Sequence, residues 1–197
     1  SDGNLAVSSW FNDATEQEHA AFSGLVTTDR ILTWAFGATR GDVAACLVSK
    51  QMNYNGSRGS DGSLSFSIDS QANGVSLDWC ETLTTGKETH SSAGSSTSRD
   101  DSAATSAGMV AYLEITDCDS GTPTVTIQQS SDNGSGDAWA TVLSFAAVGY
   151  ASAPTAERVT VSGAVERYLR ITTTGTFSNL DFCVSTRRGT SQDDVAF

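Results

Sequence analysis

The tightest constraint in this chain is a strict two-residue period. In 63–70, SLSFSIDS, Leu64, Phe66 and Ile68 fall on one side while Ser63, Ser65, Ser67 and Asp69 fall on the other. A helix would scatter these apolar side chains around its axis, whereas a strand gathers them on one face. The segment therefore predicts a half-buried antiparallel strand. Strand patterns recur at 31–36, 74–83, 109–116, 124–130 and 179–187. Residues 157–174 read as one long alternating strand bent at Gly163. For 139–148 the period leaves strand and short helix both open. Two stretches break the pattern. In 13–22, Asp13 and Glu16 are spaced as in a capping box, and in 42–52, Val43, Cys46, Leu47 and Lys50 recur at helical spacing. The expected fold is mainly β, a two-sheet sandwich or barrel of about eight antiparallel strands with one or two flanking short helices.

The 197 residues fit a single domain, 1–197, interrupted by a long polar loop at 84–107 that holds almost no apolar bulk. The charge balance, 11 Lys and Arg against 23 Asp and Glu, gives −12. That excludes an ordinary nucleic-acid-binding domain, which needs a basic footprint, and docking on anionic lipid. No apolar run is long enough to span a membrane, and no secretory signal is read at the first residues. Cys46, Cys80, Cys118 and Cys183 are widely spaced, with no C-x-x-C pattern and no neighbouring His, which argues against zinc; their number allows two disulfides, and four buried, reduced thiols are the expected form.

Signs of catalysis are sparse. There are two histidines, His19 and His90, and neither has metal-site spacing. The chain has no G-x-S-x-G elbow and no phosphate-binding glycine motif, so no cofactor is expected. Asp117, Asp119 and Gly121 resemble the start of a calcium loop, but Gln128 stands where its last acidic ligand belongs. Asp78 and Glu81 are candidates for a glycosidase-like carboxylate pair. Trp10, Trp34, Trp79 and Trp139 each lie in or beside an apolar stretch, which predicts core packing. A sugar-binding face would need two or more of them on one exposed surface.

Five segments together resemble the major tail tube protein of long-tailed bacteriophages with non-contractile tails. They are WFNDATEQEHAAFSGLVTTDR (10–30), NYNGSRGSDGSLSFSIDSQANG (53–74), SAGMVAYLEITD (106–117), TVTIQQSSDNGSGDAWATVLSF (124–145), and the run from AERVTVSGAV at 156 to CVSTRR at 188. The likeness spans most of 10–188. It departs from the family in having no room for the added immunoglobulin-like domain that many members carry.

The resemblance implies a non-enzymatic virion protein, assembled in the host bacterial cytoplasm and located in the tail. Its partners would be further copies of itself in hexameric, stacked rings, and other tail proteins at the tube ends. DNA would pass through the channel without specific binding. The acidic balance fits such a passage, since a basic wall would hold phosphates. Strand alternation nominates Asp69, Glu114 and Glu166 as channel-facing carboxylates. The polar loop nominates His90, Arg99, Asp100 and Asp101 as contacts between rings. The alternatives are a capsid decoration protein or glycan-binding β-sandwich on a virion surface and, last, a hydrolase using Asp78 and Glu81.

Overall fold

A computed structural model of the chain describes residues 3–12, 19, 22–25 and 27–191. The fold is mainly β, with antiparallel pairing in two sheets and hardly any helix. Among the described residues there are fifteen strands rather than about eight. In chain order the first nine are β1 (Asn4–Trp10), β2 (Arg30–Ala35), β3 (Val43–Gln51), β4 (Asn55–Arg58), β5 (Leu64–Ala72), β6 (Asp78–Thr82), β7 (Glu88–His90), β8 (Gly94–Ser95) and β9 (Arg99–Asp100). They are followed by β10 (Met109–Gly121), β11 (Thr124–Ser130), β12 (Ala140–Ser144), β13 (Thr155–Val161), β14 (Tyr168–Thr174) and β15 (Phe177–Arg188). A 3-10 turn spans Tyr150–Ser152. Among the described residues both sheets are open, and neither closes into a barrel. No helix among the described residues is long and apolar enough to cross a membrane.

The chain divides into two compact units, Ser1–Thr33 with Cys46–Asp78, and Trp34–Ala45 with Trp79–Phe197. In the first unit β5 pairs with β1, β3 and β4. The expected alternation holds in β5 for Phe66 and Ile68, which are buried, and Ser67, which is exposed, whereas Leu64, at the start of the strand, is 42% exposed rather than buried with them. The helix expected at 42–52 is instead β3. Ala44, Ala45, Cys46 and Leu47 are all buried in succession, as in a strand covered on both faces. A short apolar run of that kind satisfies helical spacing by accident, and pairing with β5 decides its form. The helix expected at 13–22 falls largely outside the described residues; of its span only His19 and Phe22 are described, both helical.

The second unit is a sandwich. Its larger sheet runs β6–β15–β10–β13, with β7 beside β15, and its smaller sheet runs β12–β11–β14–β8, with β9 beside β14. Met109, Ala111, Leu113 and Ile115 of β10 and Leu180, Phe182 and Val184 of β15 point inward. They meet Val125, Ile127, Leu143, Leu169 and Ile171 of the smaller sheet. Most of these side chains are fully buried, each contributing about 1.5–3 kcal/mol by leaving water. The long strand expected over 157–174 is two strands in different sheets. Gly163, at φ 92°, lies in the connection that turns the chain from β13 to β14.

The polar stretch 84–107 is folded onto this sandwich. It contributes β7, β8 and β9, which add to β15 and β14 by backbone hydrogen bonds. Their side chains carry no apolar alternation, so no period announced them.

Candidate functional site

The third short strand, β9, brings Arg99 and Asp100 alongside Leu169 and Tyr168 of β14. Arg99 is buried, and its guanidinium is fully engaged. It donates to the carbonyls of Glu81 (3.0 Å) and Thr82 (3.1 Å), to Thr186 Oγ1 (2.9 Å) and to both carboxylate oxygens of Asp101. The Asp101 side chain is only 4% exposed, and it also accepts from Arg188 Nε at 2.6 Å. Arg188 reaches on to the carbonyls of Val165, Glu166 and Arg167. One buried carboxylate thus ties β9, β15 and the connection before β14 into a knot. Buried charges persist only when paired and hydrogen-bonded in this way.

Above the knot lies a cleft of about 260 Å³, rimmed by Trp79, Glu81 and Arg187. Trp79 is 59% exposed and Phe36 63%, and their rings lie 6.1 Å apart at 39°. The tryptophan expectation is therefore overturned for three residues. Trp10, Trp34 and Trp79 stand in solvent, while Trp139 is half-buried beneath Arg170, whose guanidinium sits 4.4 Å over its ring. In β6, Asp78, Cys80 and Thr82 are buried while Trp79 and Glu81 are exposed. That alternation, readable in DWCET, is the signal that could have turned Trp79 outward. It also puts Asp78 and Glu81 on opposite sides of the strand, which no shared carboxylate chemistry allows.

The other residues nominated from the polar stretch have separate roles. Asp100 takes Arg167 in a two-pronged exposed pair, both contacts 2.6 Å, and Arg167 holds its carboxyl down at about 2. His90 lies edge-on to Phe182, with ring centres 5.0 Å apart. Ser96 donates to Glu88, so its oxygen accepts from His90 Nε2, and Nδ1 faces the Thr173 hydroxyl at 2.7 Å. Glu88 in turn receives Arg40 at 2.8 Å. Burial pushes the His90 imidazole below its ordinary value, against a smaller upward pull from Glu88.

The nominated channel carboxylates each have surroundings of their own. Asp69, in the first unit, accepts from Asn53 at 2.6 Å, and its amide donates back to the same side chain. Glu114, in the second unit, is half-buried on the face of β10 opposite Leu113 and Ile115, in register with Cys183. Burial first, and Glu114 next, push the Cys183 thiol up to about 11. Glu166 lies in the β13–β14 connection, where burial and then Asp137 raise its carboxyl. All four cysteines are free, three of them buried. Among the described residues no group of three or more His, Cys, Asp or Glu is arranged to hold a metal. Asp119 accepts from Asn179 at 2.6 Å and Asp117 from the amide of Cys118, so the calcium-like segment is the end of β10.

Compared with models of known protein families and with curated protein sequences, the chain matches none.

Proposed function

We propose that this chain is a self-assembling structural subunit of a virion, the protein that builds the tail tube of a long-tailed phage with a non-contractile tail. The observation that carries the reading is the pair of open sheets in the second unit. Among the described strands, β13 pairs only with β10, and β12 only with β11. Each is thus the last strand of its sheet, and the edge of a sheet is a template for a second chain. Edge-to-edge pairing of successive copies closes a ring without any chemistry from side chains. The net charge of −12 adds the second requirement, since a ring of such chains repels duplex DNA rather than retaining it. Negative-stain electron microscopy of the purified, concentrated chain tests the reading. Hollow tubes or rings support it, and uniform monomers across assembly conditions count against it.

A second reading is favoured by one observation, the exposed Phe36 and Trp79 rings beside a cleft with acidic and basic rims. Aromatic faces flanked by such groups suit a sugar ring, as on a glycan-binding module at a virion surface. Screening against a glycan array separates the two, since a specific hit lost in Trp79→Ala favours the sugar.

A further inference from the structure

The cleft above the Arg99–Asp101 knot sorts ligands by charge. Arg99 makes five hydrogen bonds, one for each N–H of a guanidinium: two to Asp101, two to the carbonyls of Glu81 and Thr82, and one to Thr186. Arg188 donates to Asp101 and to the carbonyls of Val165, Glu166 and Arg167, and Arg187 is engaged as well. An anionic ligand therefore finds most of these N–H groups taken, on a chain that carries −12. A cationic ligand meets three guanidinium groups. What the cleft offers a ligand is an exposed indole, Trp79, and an exposed carboxylate, Glu81. Glu81 stands 4.0 Å from Arg99 Nη2, beyond hydrogen-bond length, with 57% of its side chain in water. The Phe36 ring is tilted against the indole rather than stacked on it, and both rings stay open to solvent.

Resting on the glycan-binding reading of this cleft, we infer that its ligand is a neutral sugar: one pyranose ring lies with its C–H face against Trp79 and donates a hydroxyl to Glu81. The C–H groups of such a ring are slightly positive and suit the negative face of an indole. The hydroxyls around its edge donate to a carboxylate in charge-assisted hydrogen bonds. The spacing matches one ring. Trp79 and Glu81 are both exposed, two residues apart on one face of β6, which places them about 7 Å apart along the strand. The cleft volume, about 260 Å³, lies below the roughly 300 Å³ at which pockets for larger ligands begin. A uronic or sialic acid would bring a carboxylate to Glu81, where nothing compensates the repulsion.

A glycan array carrying neutral and acidic glycans tests the inference, followed by calorimetric titration of the purified chain with the oligosaccharides that score. Neutral glycans are expected to bind, and glycans ending in uronic or sialic acid are expected not to. Trp79→Ala should weaken binding by about tenfold, and Glu81→Gln, which keeps the shape and removes the charge, by about fivefold. Trp79→Phe keeps an aromatic face and should retain most of the affinity, a rescue that a loss of fold in Trp79→Ala would not explain. Both side chains are exposed, so the melting temperatures of the variants should match that of the parent. Acidic glycans bound as tightly as neutral ones, or neutral binding that survives Trp79→Ala, would overturn the inference and leave glycan binding in place. A chain that binds no glycan on the array would overturn both.

Discussion

Asp101→Asn strikes the most concentrated set of interactions in the second unit. The native carboxylate accepts from Arg99 Nε at 2.5 Å, Arg99 Nη2 at 3.1 Å and Arg188 Nε at 2.6 Å, with 4% of its side chain in water. The amide keeps the shape and one acceptor oxygen. Its NH₂ group then faces an arginine donor, and the negative charge between the buried Arg99 and half-buried Arg188 guanidinium groups is gone. Removing one partner of a buried ion pair costs about 3–5 kcal/mol, and the retained oxygen places this change near the lower end, at about 3 kcal/mol. For a chain of this size each kcal/mol moves the melting temperature by about 2–4 °C, so the expected fall is about 6–12 °C. Thermal and urea unfolding followed by circular dichroism read it directly. Hydrogen exchange across β9 should rise in parallel, since Arg99 is what anchors that strand below the cleft. Asp100→Asn is the control, because its pair with Arg167 lies in solvent and its loss should change little. A loss under about 1 kcal/mol for Asp101→Asn would refute the buried-knot argument.

Acid should weaken the fold through His90. Burial lowers its folded value, so as pH falls below the ordinary value of about 6.5 the unfolded chain takes the proton first. Stability is full above that range and declines towards the lowered folded value; urea midpoints at pH 7.5 and 5 should show a drop that His90→Gln reduces. Gly121→Ala should destabilise by more than about 1 kcal/mol, because φ is 86° and the added methyl would run into the Thr176 carbonyl; an unchanged melting temperature would refute this. The native chain should react slowly with iodoacetamide at pH 7, since Cys46, Cys80 and Cys118 are buried and the Cys183 thiol is held protonated. Four thiols should appear on denaturation, and fewer would reveal a disulfide.

The strands that were legible in the sequence are those with one wet and one dry face. β5 alternates through Phe66, Ser67 and Ile68 and β11 through Val125, Thr126 and Ile127, and β11 matches its expected bounds. β4, β7, β8 and β9 were hidden because they are held by backbone pairing and polar side chains, which leave no apolar rhythm. The same physics explains the polar stretch 84–107. It has too little apolar surface to fold alone, yet Arg99, Asp101, His90 and Glu88 fasten it to the sandwich. Arg99 and Asp101 were conspicuous as charged residues in a polar run; only their burial shows that they bind inward. The Phe36–Trp79 rim is hard to read from the sequence because both residues lie beside apolar ones, and only strand parity in β6 turns Trp79 outward. β3 misled for a different reason: a run buried on both faces carries no period at all.

Electron microscopy of the concentrated, purified chain tests the central claim most directly. The account predicts hollow rings or tubes that grow more abundant as the concentration of the chain rises. A uniform field of small particles, unchanged across concentration and salt, would contradict it.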